Sequence, residues 1–280
     1  ISDKSTRYIG EMDPAKHALF MERKDNMGKH RIAVAGTGYA GLSLAALLAQ
    51  HAQVTVISED QEEAEKIGRC ELGFEKAYIE KYFKEKKLAL MATTDAEEAC
   101  RRADHVIIAL PGREIKKTEA LVKLAVRCNP EAMIVIRTDV PVGFTRTMRD
   151  TTGSQNILYS PNFTQKERAF TDVLYPERII IGTDLEDDRL CWAANAFAAL
   201  LQEGALQDDI DVRFMNFDEA EAVKLLTNTA AALRIAYEHE LDAFARENGL
   251  DAAQIKAALA SDTVNVSAEQ PVIPMTLQIR

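Results

Sequence analysis

Residues 30–50 read HRIAVAGTGYAGLSLAALLAQ: a short apolar run, three glycines spaced Gly36-x-Gly38-x-x-Gly41, then an Ala/Leu-rich stretch. No other segment restricts the fold as much. The apolar run Ile32–Ala35 predicts a strand, the Ala/Leu stretch a helix over Tyr39–Ala49, and a second strand follows at Val54–Ile57. Strand, glycine turn, helix and strand in that order form a βαβ unit. Gly36 permits the tight turn, Gly38 lets the backbone approach a pyrophosphate, and Gly41 lets helix pack on strand. Tyr39 and Ala40 open the helix, whose unpaired N–H groups and positive dipole end suit phosphate. The turn therefore predicts a dinucleotide site built from Gly36, Gly38, Tyr39, Ala40 and Gly41. Retention for strand–helix packing alone is the alternative.

In such units an acid at the end of the second strand binds the adenosine ribose. Here the strand ends Ile57-Ser58-Glu59-Asp60, so strict register puts Ser58 at that position and Glu59 one residue later. Two adjacent acids and no nearby arginine disfavour a 2′-phosphate, so NAD is preferred over NADP. The competing reading of Glu59 and Asp60 is a solvated start to a helix at Gln61–Ile67.

The same alternation continues. Strands are expected at Leu88–Met91, His105–Leu110, Met133–Arg137, Ile157–Tyr159 and Arg178–Ile181, with helices at Ala96–Arg102 and Lys116–Arg127. Short apolar strands interleaved with amphipathic helices predict a Rossmann-like α/β fold, a doubly wound parallel sheet covered on both faces. After Gly182 come a helix over 187–206, a closing strand at 211–217 and a long helix at Asp218–Asn248. Val223, Leu226, Ala230, Leu233, Tyr237, Leu241 and Phe244 step along that helix by three or four residues. Gly249 stops it, and Asp251 caps a further helix at Ala252–Ala260. The expected domains are an N-terminal extension (1–29), a dinucleotide-binding domain (30–216), a helical segment (217–262) and an irregular tail (263–280).

Length, 280 residues, allows a substantial core. The net charge of −10 argues against a nucleic-acid surface while leaving room for a local basic pocket. No apolar run has the length to cross a bilayer, so no membrane association is expected. The four cysteines and five histidines are scattered without ligand spacing, so no metal site is expected and a reducing cytoplasm is the default.

Two further segments carry a resemblance. Ile136-Arg137-Thr138-Asp139-Val140-Pro141-Val142-Gly143 is similar to the K-S-T-V-P-V-G signature of the UDP-glucose/GDP-mannose dehydrogenase family, and Glu219-Ala220-Glu221-Ala222-Val223-Lys224 through Asn228-Thr229 resembles its E-A-E-x-x-K-x-x-x-N-T. With the glycine turn and Ser160-Pro161-Asn162-Phe163, the resemblance covers residues 30 to about 262. It implies oxidation of a nucleotide sugar such as UDP-glucose by two hydride transfers to NAD through a cysteine-bound intermediate. By position it makes Lys224 and Asn228 the groups that stabilise developing oxyanion charge. Asn162, Phe163 and Lys224 become substrate contacts. A homodimer through the long helix is expected, and polysaccharide precursor supply is the family's context.

The departures fall on the chemistry. Asp139 replaces the family's threonine, Asn162 and Lys166 replace two glutamates, and Leu110-Pro111-Gly112 stands where T-P-T belongs. The glycine-rich cysteine loop is absent; its register runs through 270–279, with an isoleucine about where the thiol belongs. The arginine expected near Ser261–Val264 is missing as well. Three readings follow: a divergent NAD-dependent oxidoreductase with Asp139 or Lys224 as acid/base; an inactive homologue binding nucleotide or partner protein; or a piece of a longer protein with a further UDP-binding domain.

Overall fold

The computed structural model describes residues 30–71, 86 and 88–261. The extension expected over 1–29, the tail over 263–280 and the loop register through 270–279 lie outside the described residues. So does most of the Ser261–Val264 segment.

A single eight-stranded sheet forms the centre, in the order β3-β2-β1-β4-β5-β6-β7-β8. Its first half runs β1 (Arg31–Ala35), α1 (Tyr39–Leu48), β2 (Gln53–Ile57), α2 (Gln61–Gly68), β3 (Leu90–Thr93), α3 (Ala96–Arg102) and β4 (His105–Ile108). The second continues through α4 (Ile115–Cys128), β5 (Met133–Ile136), α5 (Phe144–Thr152), β6 (Ile157–Tyr159), α6 (Ala169–Leu174), β7 (Arg178–Gly182), α7 (Asp188–Gly204) and β8 (Asp211–Met215). The order reverses between β1 and β4, where a doubly wound sheet opens a crevice beyond its strand ends.

Strand residues alternate between two cores. Ile32 and Val34 face a cluster with α1, α6 and α7, whereas Ala33 and Ala35 face one with α3 and α4. That period-two division explains why the strands read as continuous apolar runs: both faces are covered. Leu44, Leu47 and Leu48 of α1 are buried, each stabilising the fold by about 1.5–3 kcal/mol.

Three differences from the expected elements have local causes. β3 occupies Leu90–Thr93 rather than 88–91, because its partner β2 offers Val54 to Leu90 and Ile57 to Thr93. β4 stops at Ile108, since the Leu110 N–H turns away to the Thr138 hydroxyl at 3.0 Å. The sheet is parallel except at β6–β7, which meet antiparallel at the single pair Tyr159 and Gly182.

The chain divides into two compact units between Thr227 and Asn228. The helix α8 (Phe217–Glu247) runs through this division, and α9 (Ala252–Ser261) follows. Within the second unit Gly249 takes φ +65° at the end of α8, and Asp251 caps α9 by accepting from Ala253 N–H at 2.9 Å. Lys256 joins the two helices by meeting Asp242 at 2.7 Å. Among the described residues no helix is long and apolar enough to cross a membrane.

Candidate active site

Side chains cap some helix N-termini of the domain, but not that of α1 at the glycine turn, nor that of α4. Asp60, Asp95 and Asp187 each cap their own helix, accepting a backbone N–H of the first turn at 2.7–3.1 Å. The N-terminus of α1 has Gly38 in the capping place, no side-chain cap and no acid in its first turn. Its free N–H groups and dipole are thus available to an anion. Gly36 adopts φ +135°, and a Cβ there would lie 2.2 Å from the carbonyl oxygen of Ala109. A Cβ on Gly41 would meet the Gly36 carbonyl oxygen at the same distance. Gly38 differs: its nearest neighbour would be Pro111 at 3.5 Å, ordinary contact. Gly36 and Gly41 bring turn, helix and β4 together, while Gly38 leaves bare backbone facing a cavity. This cradle fits the pyrophosphate of a dinucleotide.

Across the crevice, Thr138 is buried and ties two strand ends together. Its hydroxyl accepts the Leu110 N–H and donates to the Ile108 carbonyl at 3.3 Å. Asp139 therefore emerges beside Leu110-Pro111-Gly112.

The third wall comes from α8. Gly182 of β7 permits its approach, because a Cβ there would lie 2.9 Å from the Ala220 Cβ. One residue on, the buried Glu221 carboxylate accepts Gly143 N–H at 2.6 Å, Thr145 N–H at 2.8 Å and the Thr145 hydroxyl at 2.6 Å. Burial raises the pKa of Glu221, and these three donors work against that rise. Nearly one turn later the Lys224 ammonium reaches the Asn162 carbonyl oxygen at 2.5 Å and the Asp139 carboxylate at 3.5 Å. It also lies 5.5 Å above the centre of the Phe163 ring, which Arg178 approaches at 4.7 Å.

A cavity of about 280 Å³ is bounded by Gly38, Tyr39, Ala40, Asp139, Asn162 and Lys224, all expected from the sequence. Arg137, Thr164 and Lys166 line it too; sequence reasoning had not placed them in the site. A smaller cavity of about 190 Å³ adjoins through Arg137, Asn162 and Thr164, and Phe163 lines that one. Ser58 and Glu59 line neither. The buried Ser58 hydroxyl donates to the Glu63 carboxylate at 2.6 Å, and exposed Glu59 pairs with Lys117 at 2.8 Å. Asn228 follows Lys224 by one helical turn and belongs to the second unit.

None of the four cysteines lines either cavity. Burial raises the thiols of Cys70, Cys100 and Cys191, that of Cys100 to about 11, so they are packing residues rather than nucleophiles. Among the described residues no cluster of His, Cys, Asp or Glu can hold a metal ion.

A doubly wound sheet with an uncapped glycine turn at its switch point defines a dinucleotide-binding Rossmann domain. Residues 30–199 match the NAD-binding domain of the UDP-glucose/GDP-mannose dehydrogenase family, and the chain belongs to that family. NAD is accordingly the dinucleotide for which the cradle is built. The chain is similar to the UDP-glucose 6-dehydrogenase of Streptococcus pneumoniae, with 37% identity over 79% of this chain and 58% of the relative. To that of Campylobacter jejuni it is 30% identical, over 83% of this chain and 60% of the relative. It thus spans about three-fifths of the length of these relatives. The fold is shared with a UDP-glucose dehydrogenase from Pyrobaculum islandicum, at TM-score 0.71 and 23% identity, covering 84% of this chain and 57% of that one. A GDP-mannose dehydrogenase from Pseudomonas aeruginosa gives TM-score 0.71 at 19% identity, over 85% and 58% of the two chains.

Proposed function

We propose that this chain is an NAD-dependent oxidoreductase that removes one hydride from a nucleotide sugar such as UDP-glucose. The observation that carries this reading is the convergence of Lys224, Asp139 and Asn162 on the cavity that also receives the Gly38–Ala40 turn. NAD, when bound, supplies the hydride acceptor. The chain's own part is positioning and proton management. Backbone N–H groups at Tyr39 and Ala40 hold the pyrophosphate, and the Lys224 ammonium stabilises a hydroxyl oxygen as it gains negative charge. The Asp139 carboxylate is the base for that hydroxyl proton, with the adjacent ammonium orienting it.

The single two-electron step is supported by the position of the thiols. With all four cysteines away from the cavities, none of them is placed to form the covalent intermediate of a second oxidation. The test is NADH formation on adding UDP-glucose and other nucleotide sugars to enzyme and NAD, with product analysis separating aldehyde from acid. Catalytic silence together with tight NAD binding favours the second reading, a nucleotide-binding homologue without turnover, which the same placement of the thiols supports.

The assembly we propose is a homodimer. Leu233, Tyr237 and Phe244 on one face of α8 are all more than half exposed, a patch that a second copy of the helix would cover. The compartment we propose is the reducing cytoplasm, in keeping with four free cysteines.

A further inference from the structure

Lys166 meets the glycine turn from a distant part of the chain. Its Nζ lies 5.3 Å from the centre of the Tyr39 ring, and both residues line the larger cavity with Gly38 and Ala40. Tyr39 is the first residue of α1, so the ammonium stands beside the helix end that lacks a side-chain cap. Packing fixes this placement. Lys166 opens the 3-10 turn Lys166–Arg168, which runs straight into α6. Phe170, Val173 and Leu174 of α6 share one core cluster with Leu44, Leu47 and Leu48 of α1. Asp172 of α6 fastens the residues before and after Lys166, accepting the Gln165 N–H at 2.8 Å and meeting Arg168 at 3.5 Å.

The charges around the cavity point the same way. Arg137, Lys166 and Lys224 line it against Asp139 alone, in a chain whose net charge is −10. Lys224 is engaged by Asp139 and the Asn162 carbonyl, and Arg137 donates to the Ser160 hydroxyl. Lys66, Lys117, Lys123 and Lys256 each pair with a carboxylate elsewhere. Among the described residues Lys166 has no such partner; what it meets is the Tyr39 ring, and its ammonium donors stay open to a ligand. A dinucleotide carries a negative charge on each phosphate of its pyrophosphate, whereas a helix end supplies only about half an elementary charge. A full cation beside that end supplies what the helix cannot. The family motif has glutamate at this position, so the lysine reverses the sign of the charge there.

We propose that Lys166, seated on the Tyr39 ring, is a binding residue for the pyrophosphate of NAD held at the N-terminus of α1. The ring keeps the ammonium at the helix end, and the ammonium adds a charge-assisted contact to those of the backbone N–H groups. This deepens the oxidoreductase reading on its cofactor side, resting on the NAD cradle and not on turnover.

The experiment titrates wild type, Lys166→Gln, Lys166→Arg, Tyr39→Leu and the Lys166→Gln/Tyr39→Leu double variant with NADH by fluorescence, at low and high NaCl. ADP-ribose and adenosine compete against NADH, and UDP-glucose is titrated by calorimetry. Lys166→Gln should weaken NADH and ADP-ribose about tenfold at low salt and about twofold at high salt, with adenosine unchanged. Lys166→Arg should keep most of the affinity, and the exposed position should leave the melting temperature within about 1 °C. Tyr39→Leu should weaken NADH about threefold in wild type and add nothing in the Gln background. An unchanged NADH affinity in the Gln variant overturns the proposal, as does an equal loss for adenosine. So does a loss confined to UDP-glucose, which would assign Lys166 to the substrate, or an undiminished Tyr39→Leu effect without Lys166. Wild type that binds no NADH overturns this inference together with the oxidoreductase reading. Lys166-dependent NADH binding without NADH formation from any nucleotide sugar sustains this inference and removes that reading.

Discussion

Glu221 and Thr145, from helices far apart in the chain, are joined twice: the buried carboxylate accepts both the backbone N–H and the hydroxyl of Thr145, at 2.8 and 2.6 Å. Helix α5 starts at Gly143, which has φ +87° and no side chain to cap the helix. Glu221 supplies that cap through space, also taking the Gly143 N–H. The contact locks the start of α8 to the 139–145 loop, and so sets Lys224 against Asp139.

Replacing Glu221 by alanine leaves buried donors at Gly143 and Thr145 without a partner. We expect a loss of about 3 kcal/mol of stability, measured by urea unfolding. Loss of the Lys224–Asp139 geometry follows, so turnover in the proposed reaction falls in the same variant while NADH affinity is nearly unchanged.

The three turn glycines separate fold from binding. Gly36→Ala or Gly41→Ala drives a methyl group into a backbone carbonyl and is expected to destabilise the domain by about 3 kcal/mol. Gly38→Ala meets only Pro111 at ordinary contact distance and leaves stability within about 0.5 kcal/mol. Its methyl group nevertheless enters the cavity, so NADH binding weakens about tenfold. Parallel melting curves and fluorescence titrations give both readouts.

Lys224 and Asp139 form the proton-handling pair of the proposed reaction. Lys224→Met and Asp139→Asn should each reduce turnover about a hundredfold, with NADH affinity nearly unchanged. Their combined loss should be less than the product of the single losses, because the residues act as a unit. Single-turnover NADH formation on each variant measures this.

His105 makes the domain acid-sensitive. Its Nδ1 is buried without a hydrogen-bond partner among the described residues, and its ring meets that of His30 edge-on at 5.7 Å. Burial lowers its pKa from 6.5 to about 4, reinforced by His30 and opposed by Asp104. The unfolded chain therefore binds a proton between these values while the folded chain does not, so stability falls as pH drops through this window. The loss is about 2 kcal/mol between about pH 7 and about pH 5, and His105→Gln should flatten it in urea midpoints. Asp104, held below 3.8 by Arg31, acts at lower pH and stays outside that window.

The apolar face of α8 predicts self-association. Leu233→Glu with Tyr237→Glu should turn a dimer into a monomer in light scattering, with little change in NADH affinity, since neither residue lines a cavity.

The glycine turn was legible because its physics is local. Strand, tight turn and uncapped helix are written within residues 31–48, and the alternation that follows allows few other architectures. Strand ends were less legible. Whether β4 includes Leu110 depends on the Thr138 hydroxyl, 28 residues away, and β3 starts where β2 offers a partner. The antiparallel join of β6 and β7 has no sequence signal at all, since a buried strand reads the same in either direction.

Sequence alone determined the doubly wound architecture, the dinucleotide cradle and the ancestry, because periodicity and turn chemistry act between near neighbours. Tertiary structure alone decided the role of Glu221 and the place of Arg137 in the wall common to both cavities. It also set Ser58 against Glu63 and Glu59 against Lys117. A side chain's charge is plain from its identity; whether that charge is paired depends on which distant strand or helix the fold brings beside it.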